Sequence, residues 1–170
     1  PHRHPLFLGM TGMHGRYAAS KALAACDLLI AVGSRFSDRA TGNKLSFATG
    51  KKVLHLDIDP AEIGKNIPAY AAVVGDVKAI LEALLELGVS RQRSDWEEEV
   101  RAIVRMPDSH LGMDHSRLNP QMVIESLYAK LADEAIVATD VGQHQMWAAQ
   151  YYKFQRPRTF ITSGGLGTMG

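Results

Sequence analysis

Cysteine, net charge and long apolar runs are all scarce in this sequence, and each shortage excludes a class of protein. Cys26 is the only cysteine among 170 residues, so an intramolecular disulfide framework is excluded and a reducing compartment, the cytoplasm, is expected. The formal net charge is +1 and the basic residues are scattered, which argues against a nucleic-acid partner. No apolar run approaches the roughly 20 residues of a membrane span, and a signal-peptide pattern is missing from the first residues.

What the sequence does contain is short apolar runs that alternate with helical segments. Asp27–Val32 is apolar after its first residue, which predicts a strand buried on both faces. Further strands are predicted at Val53–Ile58 and Ala72–Val74, and helices at Tyr17–Cys26 and at Val77–Leu87 with Asp76 as its N-cap. This alternation is typical of an α/β fold with a parallel sheet. Three strands are few for such a sheet, so we expect the later part of a truncated domain.

The composition changes after residue 88. Ser94 and Glu97 have capping-box spacing, which predicts a charged helix over Asp95–Arg105, and the rest of 89–117 is typical of a linker. Asn119 and Pro120 then carry the signature of a helix N-terminus. After that helix the pattern predicts a strand at Ala135–Thr139, a helix at Gln145–Tyr152 and a strand at Thr159–Thr162. The sequence therefore predicts a second α/β region over 118–170.

Four loops follow these strands, and ligands of open parallel sheets gather at such carboxyl ends. The loops are Gly33–Arg39, Asp57–Glu62, Asp140–Gln145 and Ser163–Gly170. Backbone amides at Gly9–Gly15 and Gly33 are suited to phosphates, and acidic and basic side chains at Asp57, Glu62, Asp76, Arg35 and Arg39 are suited to a nucleotide. The spacing of Gly9–Gly15 differs from the GxGxxG dinucleotide fingerprint. Ordinary glycine turns of an α/β fold would give the same pattern.

A second candidate site lies where the strand ending at Thr139 enters a helix. Asp140, Gln143 and His144 stand at the mouth of that helix, where side-chain donors and the helix dipole favour a diphosphate. The alternative is that Asp140 caps a turn while the other two are solvated. Ser163–Gly170 has four glycines in eight residues, which fits either close approach of a cofactor or a tight packing turn.

Taken together, five stretches of the chain resemble the acetolactate synthase large subunit, a family of enzymes that depend on thiamine diphosphate and carry FAD. They are GMTGMHG (9–15), DLLIAVGSRFSDRATG (27–42), HLDIDPAEIGKN (55–66), VVGD (73–76) and TDVGQHQMWAAQYYKFQRPRTFITSGGLGTMG (139–170). The resemblance implies that residues 1–88 are the later part of a Rossmann-like, FAD-binding central domain. It implies that 89–117 form a linker and that 118–170 begin the thiamine-diphosphate-binding domain.

The resemblance also implies roles for individual residues. FAD would lie along Gly12, Met13, His14 and Gly15, with Arg35 on the flavin cofactor and Asp57, Ile58, Glu62, Asp76 and Val77 at its adenosine end. Val141, Gln143 and His144 would meet the phosphates of thiamine diphosphate, and Gly167 and Met169 its aminopyrimidine. The chain departs from the family at Ser37, where an aspartate is usual, so an acidic role there is in doubt.

By the same resemblance, the whole enzyme decarboxylates pyruvate and joins the two-carbon unit to a second 2-keto acid, in branched-chain amino-acid biosynthesis. The catalytic glutamate and the magnesium ligands of the family would lie outside this chain, so we expect the chain alone to be inactive. Implied partners are further large subunits in a homo-oligomer and a small regulatory subunit. Other readings are a different carboligase such as glyoxylate carboligase, a non-catalytic FAD-binding fragment, and an assembly module.

Overall fold

The structure, a computed structural model, describes residues 2–88, 95–105, 114 and 116–170. The chain divides into two compact units. Lys21–Glu98 form the first, called here the three-strand unit, and the residues up to Ser20 together with Glu99–Gly170 form the second, the two-strand unit. Most of the predicted linker lies outside the described residues, and so does Ser94 of the predicted capping box. The predicted domain limits at 88 and 118 therefore stay predictions.

Helices and parallel strands alternate along the chain, as the sequence predicts for an α/β fold. The helices are α1 (Tyr17–Ala25), α2 (Asp38–Thr41), α3 (Lys44–Ala48), α4 (Val77–Glu86), α5 (Asp95–Arg105), α6 (Pro120–Leu131) and α7 (Gln143–Tyr151). The strands are β1 (Leu28–Val32), β2 (Lys52–Asp57), β3 (Ala71–Val74), β4 (Val137–Thr139) and β5 (Phe160–Thr162). Within the described residues no helix is long and apolar enough to cross a membrane.

The three-strand unit is a parallel sheet with the order β1-β2-β3. Ile30 pairs with Leu54, which in turn pairs with Ala71. The core of the unit is apolar and lies between the sheet and the segments that follow β1 and β2; it comprises Ala31, Phe36, Val53 and Ile67 with Leu29, Phe47 and Ala48 packed against them. Because the strands are parallel, all three end at the same edge of the sheet.

The prediction that β1 is buried on both faces is wrong in the described chain. Leu29 and Ala31 face the core, whereas Leu28, Ile30 and Val32 are between 45 and 52% exposed. An uninterrupted apolar run indicates that a strand can be covered on both faces, but the covering element has to be supplied by tertiary structure. Among the described residues nothing buries this outer face of β1.

Helix α4 begins and ends as its sequence predicts. The Asp76 carboxylate accepts a hydrogen bond from the Ala79 amide at 3.1 Å, and Gly88 adopts the left-handed conformation that ends helices. Its apolar stripe, which includes Leu81, Leu84 and Leu85, is left 40 to 80% exposed. Helix α5 has the predicted bounds of Asp95–Arg105.

The two-strand unit pairs β4 with β5 in parallel, with α6 and α7 packed together beside them. Asn119 caps α6 by accepting a hydrogen bond from the Met122 amide at 3.0 Å, as predicted. Two predicted limits are wrong by two residues. β4 begins at Val137 because Ala132–Glu134 first form a 3-10 turn, and α7 begins at Gln143 because Gly142 is its N-cap.

The beginning of the chain packs into the two-strand unit. The His2 ring contacts the carbonyl oxygen of Phe154 at 2.8 Å, and Arg3 forms an ion pair with Asp133 at 3.2 Å. Tyr152 is buried and its hydroxyl donates to the Ala132 carbonyl oxygen at 2.9 Å. An aromatic cluster runs through this contact, formed by His2, Phe7, Tyr128, Tyr152, Phe154 and Phe160.

Candidate functional site

The first candidate site lies at the carboxyl edge of the three-strand sheet. Asp57 is the last residue of β2 and is 6% exposed. Its backbone carbonyl oxygen accepts a hydrogen bond from Gly75 at 3.0 Å, and the preceding carbonyl oxygen, that of Leu56, accepts one from Gly33 at 2.8 Å. The loops after β1 and β3 are therefore fastened to the end of the middle strand, and the Asp57 carboxylate accepts a hydrogen bond from the Asp59 amide of its own loop at 2.9 Å.

The predicted nucleotide residues of this unit occupy these loops. The Arg35 carbonyl oxygen accepts from the Asn66 side chain at 2.8 Å, which ties the loop after β1 to the loop after β2. Ile58 is 69% exposed, and Glu62 pairs with Lys65 at 2.7 Å. Asp76 and Val77 stand at the start of α4 after β3. The structure thus brings Arg35, Asp57, Ile58, Glu62, Asp76 and Val77 to one edge, as parallel topology requires.

His55 adds a buried polar group behind this edge. It lies two residues before Asp57 on β2, it has no exposed surface, and both of its ring nitrogens lack a hydrogen-bond partner among the described residues. Its Nε2 is 3.7 Å from an Asp57 carboxylate oxygen, and its ring packs edge-on against Phe36 at 5.1 Å. Sequence reasoning missed His55, although its spacing from Asp57 along a strand places both on one face.

The Gly12–Gly15 turn belongs to the two-strand unit. Gly15 donates to the Gly12 carbonyl oxygen at 2.8 Å, and the Gln150 side chain of α7 donates to the Gly15 carbonyl oxygen at 3.2 Å. A Cβ at Gly15 would lie 2.6 Å from the Met10 carbonyl oxygen, so no side chain fits there. Met13 is 53% exposed and His14 is half-buried. The turn is closed by its own backbone and is held against α7.

The second candidate site is the N-terminus of α7. Gly142 is its N-cap with a φ of 154°, and a Cβ there would lie 3.0 Å from the His144 ring. No side chain in the described part of the chain caps this helix, and the Gln145 amide donates to the Gly142 carbonyl oxygen at 3.2 Å, so the amides left open among the described residues are those of Gln143 and His144. Gln143 and His144 are exposed beside these amides, and so is Asp140. Open amides with side-chain donors at a helix N-terminus form a site suited to an anion.

The glycine-rich loop after β5 lies against this helix N-terminus. Val141 donates its backbone N–H to the Thr168 carbonyl oxygen at 2.8 Å, which joins the two turns. Leu166 and Gly167 both donate to the Ser163 carbonyl oxygen at 2.9 Å, so the loop is a closed turn. Gly167 has a φ of 74°, which favours glycine, and Met169 is 77% exposed. The structure therefore brings Val141, Gln143, His144, Gly167 and Met169 to one edge.

Other chemistries find little support in the described residues. Within them, no group of three or more His, Cys, Asp or Glu side chains could hold a metal ion. Burial raises the pKa of the Cys26 thiol, which leaves less of the nucleophilic thiolate at neutral pH.

Sequence reasoning also missed Gln145, which is 4% exposed and faces the loop after β5. The available signal was its spacing: residues two apart on a helix point to different faces, so Gln145 does not share the face of Gln143.

Comparison with known proteins agrees with this geometry. The profile of the thiamine pyrophosphate enzyme central domain matches residues 1–84, and that of the C-terminal TPP-binding domain of these enzymes matches residues 140–170. The two profiles together cover more than half of the chain. The chain belongs to the thiamine pyrophosphate enzyme family. The second profile begins at Asp140, where the open N-terminus of α7 follows β4.

Within this family the chain is similar to acetolactate synthase large subunits, which confirms the resemblance in its sequence. It is 44% identical to the probable acetolactate synthase large subunit of Methanocaldococcus jannaschii and 47% identical to the acetolactate synthase of Mycobacterium leprae. Identity to the isozyme 1 large subunit of Escherichia coli is 43%. All three alignments cover 100% of this chain but only 28 to 30% of the relative, so the chain spans less than a third of their length.

Proposed function

We propose that the chain is part of the catalytic subunit of an acetolactate synthase. This subunit would condense two pyruvates, or pyruvate and 2-ketobutyrate, with loss of CO₂ in branched-chain amino-acid biosynthesis. The observation that carries the proposal is the uncapped N-terminus of α7 beside a glycine-rich turn, in a chain 43 to 47% identical to acetolactate synthases. A cytoplasmic location, a homo-oligomer of large subunits and a regulatory small subunit complete the proposal.

The residues at the α7 edge fit thiamine diphosphate. Gly142 leaves the helix amides uncovered, and Gln143 and His144 add exposed donors, a set that matches the acceptor oxygens of a diphosphate. A Cβ at Gly165 or Gly167 would meet nothing within 4 Å, so there is open space beside the loop for a ring. The cofactor supplies carbanion stabilisation when bound.

This chain's own residues would bind and orient that cofactor. Val141, Gln143 and His144 would hold its diphosphate end by hydrogen bonds, and Gly167 and Met169 would approach its aminopyrimidine. Because Met169 is largely exposed, its flexible apolar side chain is free to pack against a flat ring. Magnesium would neutralise part of the diphosphate charge, with ligands from outside the described residues.

The sheet edge of the three-strand unit fits the adenosine end of FAD. The buried Asp57 carboxylate is an acceptor for ribose hydroxyls, and it stands at the end of the middle strand, to which the loops that carry Arg35 and Asp76 are fastened. Ile58 offers an exposed apolar surface for a ring. Glu62 and Val77 would border its adenosine.

A chimaeric enzyme tests this proposal. The matching segment of the Escherichia coli isozyme 1 large subunit would be replaced by this chain, and acetolactate formation from pyruvate would be measured with both cofactors and magnesium. We expect acetolactate to be formed. A folded chimaera that binds both cofactors but makes no acetolactate would contradict the proposal, and a preference for glyoxylate would favour a different carboligase.

The diphosphate role is tested in the same chimaera. Gln143→Ala and His144→Ala should each raise the thiamine diphosphate concentration needed for half-maximal activity by roughly tenfold or more, since each removes a hydrogen bond to a charged group. Gln121→Ala is the matched control, because Gln121 is also a helical glutamine and its side chain donates to Glu125. An equal effect of the control would show that the two losses are not specific to the diphosphate.

A further inference from the structure

Gln145 differs from its neighbours at the start of α7. Gln143 and His144 are exposed, whereas the Gln145 side chain is turned inward and is 4% exposed. Glutamine is mostly found at the surface, so a buried amide at this position calls for a physical account. Its surroundings in the two-strand unit provide one.

The buried amide of Gln145 binds the start of the glycine-rich loop. Its Nε2 donates to the Thr162 hydroxyl at 2.7 Å, and the same hydroxyl accepts the Gly164 amide at 3.3 Å. A Cβ at Gly164 would lie only 3.0 Å from the Gln145 nitrogen. The loop backbone is therefore packed directly on the amide, and Thr162 joins the two.

Two backbone hydrogen bonds fasten the same loop from the side of β4. Ser163 donates to the Thr139 carbonyl oxygen at 3.2 Å, and Val141 donates to the Thr168 carbonyl oxygen. These bonds set the lateral position of the loop. The Gln145 side chain, in the first turn of α7, holds the start of the loop through Thr162. The helix N-terminus and the loop are therefore held at a fixed distance from each other.

The network is only partly satisfied. In the described chain the side-chain oxygen Oε1 of Gln145 and the Thr139 hydroxyl are both buried without a hydrogen-bond partner. A buried polar atom without a partner costs about as much as one neutral hydrogen bond contributes, or more. The net stabilisation by Gln145 is therefore small, and its effect is on the position of the loop.

We propose that Gln145 is a positioning residue that holds the Ser163–Gly170 loop against the α7 N-terminus through the Thr162 hydroxyl. Resting on the proposed function, this means that Gln145 sets the distance between the groups that hold the diphosphate and those that approach the aminopyrimidine. Because its side chain is buried, Gln145 would act through the loop and not by contact with the cofactor.

Hydrogen exchange in the full 170-residue chain without cofactor tests the positioning directly. Gln145→Met keeps the length and removes the hydrogen bond, and Thr162→Val keeps the shape and removes the hydroxyl. Each should speed exchange of the Leu166 and Gly167 amides, which donate to the Ser163 carbonyl oxygen, by roughly tenfold, the factor expected for one hydrogen bond. Thr162→Ser, which retains a hydroxyl, should restore slow exchange.

Uniformly faster exchange throughout the two-strand unit, or no change at the loop, would overturn the proposal, because it would show a general packing role or none. Thr162→Val decides the question if Gln145→Met does not fold, since the Thr162 side chain is exposed. In the chimaera, the same variants should raise the thiamine diphosphate concentration for half-maximal activity while leaving kcat at saturation nearly unchanged. Absence of cofactor binding by the unsubstituted protein would refute the proposed function but not the exchange result.

Discussion

His55 is fully enclosed behind the end of β2 without a hydrogen bond to either ring nitrogen from the described residues. Its Nε2 lies 3.7 Å from the Asp57 carboxylate, which is longer than a hydrogen bond. A buried group in this state lowers stability compared with an apolar side chain of similar size. His55 therefore contributes more to the shape of the Asp57 edge than to the free energy of unfolding.

Replacing His55 by leucine should raise the free energy of unfolding by about 1 kcal/mol, because it removes two buried unpartnered polar atoms. Chemical denaturation of the purified chain measures the change. His4→Leu is the control, since His4 is exposed and its replacement should give no gain. A loss of stability in His55→Leu would mean that attraction to Asp57 outweighs the cost of burial.

His2 makes the packing of the first residues sensitive to pH. Burial among Phe7 and Phe154 lowers the pKa of its imidazole from the ordinary value of 6.5, although the bond to the Phe154 carbonyl oxygen opposes the shift. The folded chain then binds this proton less readily than the unfolded chain. The contribution of His2 to stability is present above pH 6.5 and is lost as the pH falls through the lowered pKa.

Thermal unfolding followed by circular dichroism at a series of pH values checks this. The midpoint should fall with pH below 6.5 in the wild-type chain, and His2→Phe, which cannot take up the proton, should reduce that slope. An unchanged slope in the variant would assign the pH dependence to other groups.

At the scale of elements, the helix ends follow directly from short sequence signals. Asp76 and Asn119 each accept a hydrogen bond from an amide three residues ahead, and both helices begin where these residues predict. Helix α7 is different because its N-cap is Gly142, which supplies no side-chain acceptor. The first turn of this uncapped helix carries the proposed diphosphate contacts.

Asn119→Ala should lower the free energy of unfolding by about 1 kcal/mol, because the Met122 amide loses its acceptor. Asn119→Ser keeps an acceptor at the N-cap and should recover most of the loss. Denaturant titration of both variants gives the comparison. An equal loss in both would assign the effect to the hydrogen bonds that the Asn119 side-chain nitrogen donates to the backbone carbonyl oxygens of Asp114 and Arg117.

On the scale of the whole molecule, the outer face of β1 leaves Leu28, Ile30 and Val32 about half exposed. The chain spans less than a third of its relatives' length, and the face remains uncovered in the described residues. Uncovered apolar surface of this kind promotes association of protein molecules. The exposed fractions are those of the described residues of the 170-residue chain.

The purified chain should enhance the fluorescence of an apolar dye such as anilinonaphthalene sulfonate, and Ile30→Thr should reduce the enhancement. Leu45→Thr is the matched control, because Leu45 is 86% exposed but lies on α3, away from this face. Equal reductions in both variants would mean that the dye does not select the face of β1.

Local signals in the sequence predicted the strands, most of the helices and the family. Apolar runs, N-caps and glycines predicted every strand and most helix limits to within two residues, because these signals act between near neighbours in the chain. The short helices α2 and α3 were not predicted, since α2 lies in the polar turn after β1 and α3 has only five residues, too few to show a helical period. The resemblance to acetolactate synthases likewise depended on local motifs.

Which side chains are buried and what they contact depends on the tertiary structure. The exposed face of β1, the unpartnered ring of His55 and the contact between Gln145 and Thr162 all depend on segments distant in sequence. Local patterns state which face of an element is apolar, but whether another element covers that face is set by the fold. The strand–turn–helix at Val137–Tyr151 illustrates both kinds of information. Its motif predicts an anion site, and its tertiary packing sets Gln145 against Thr162 beside that predicted site.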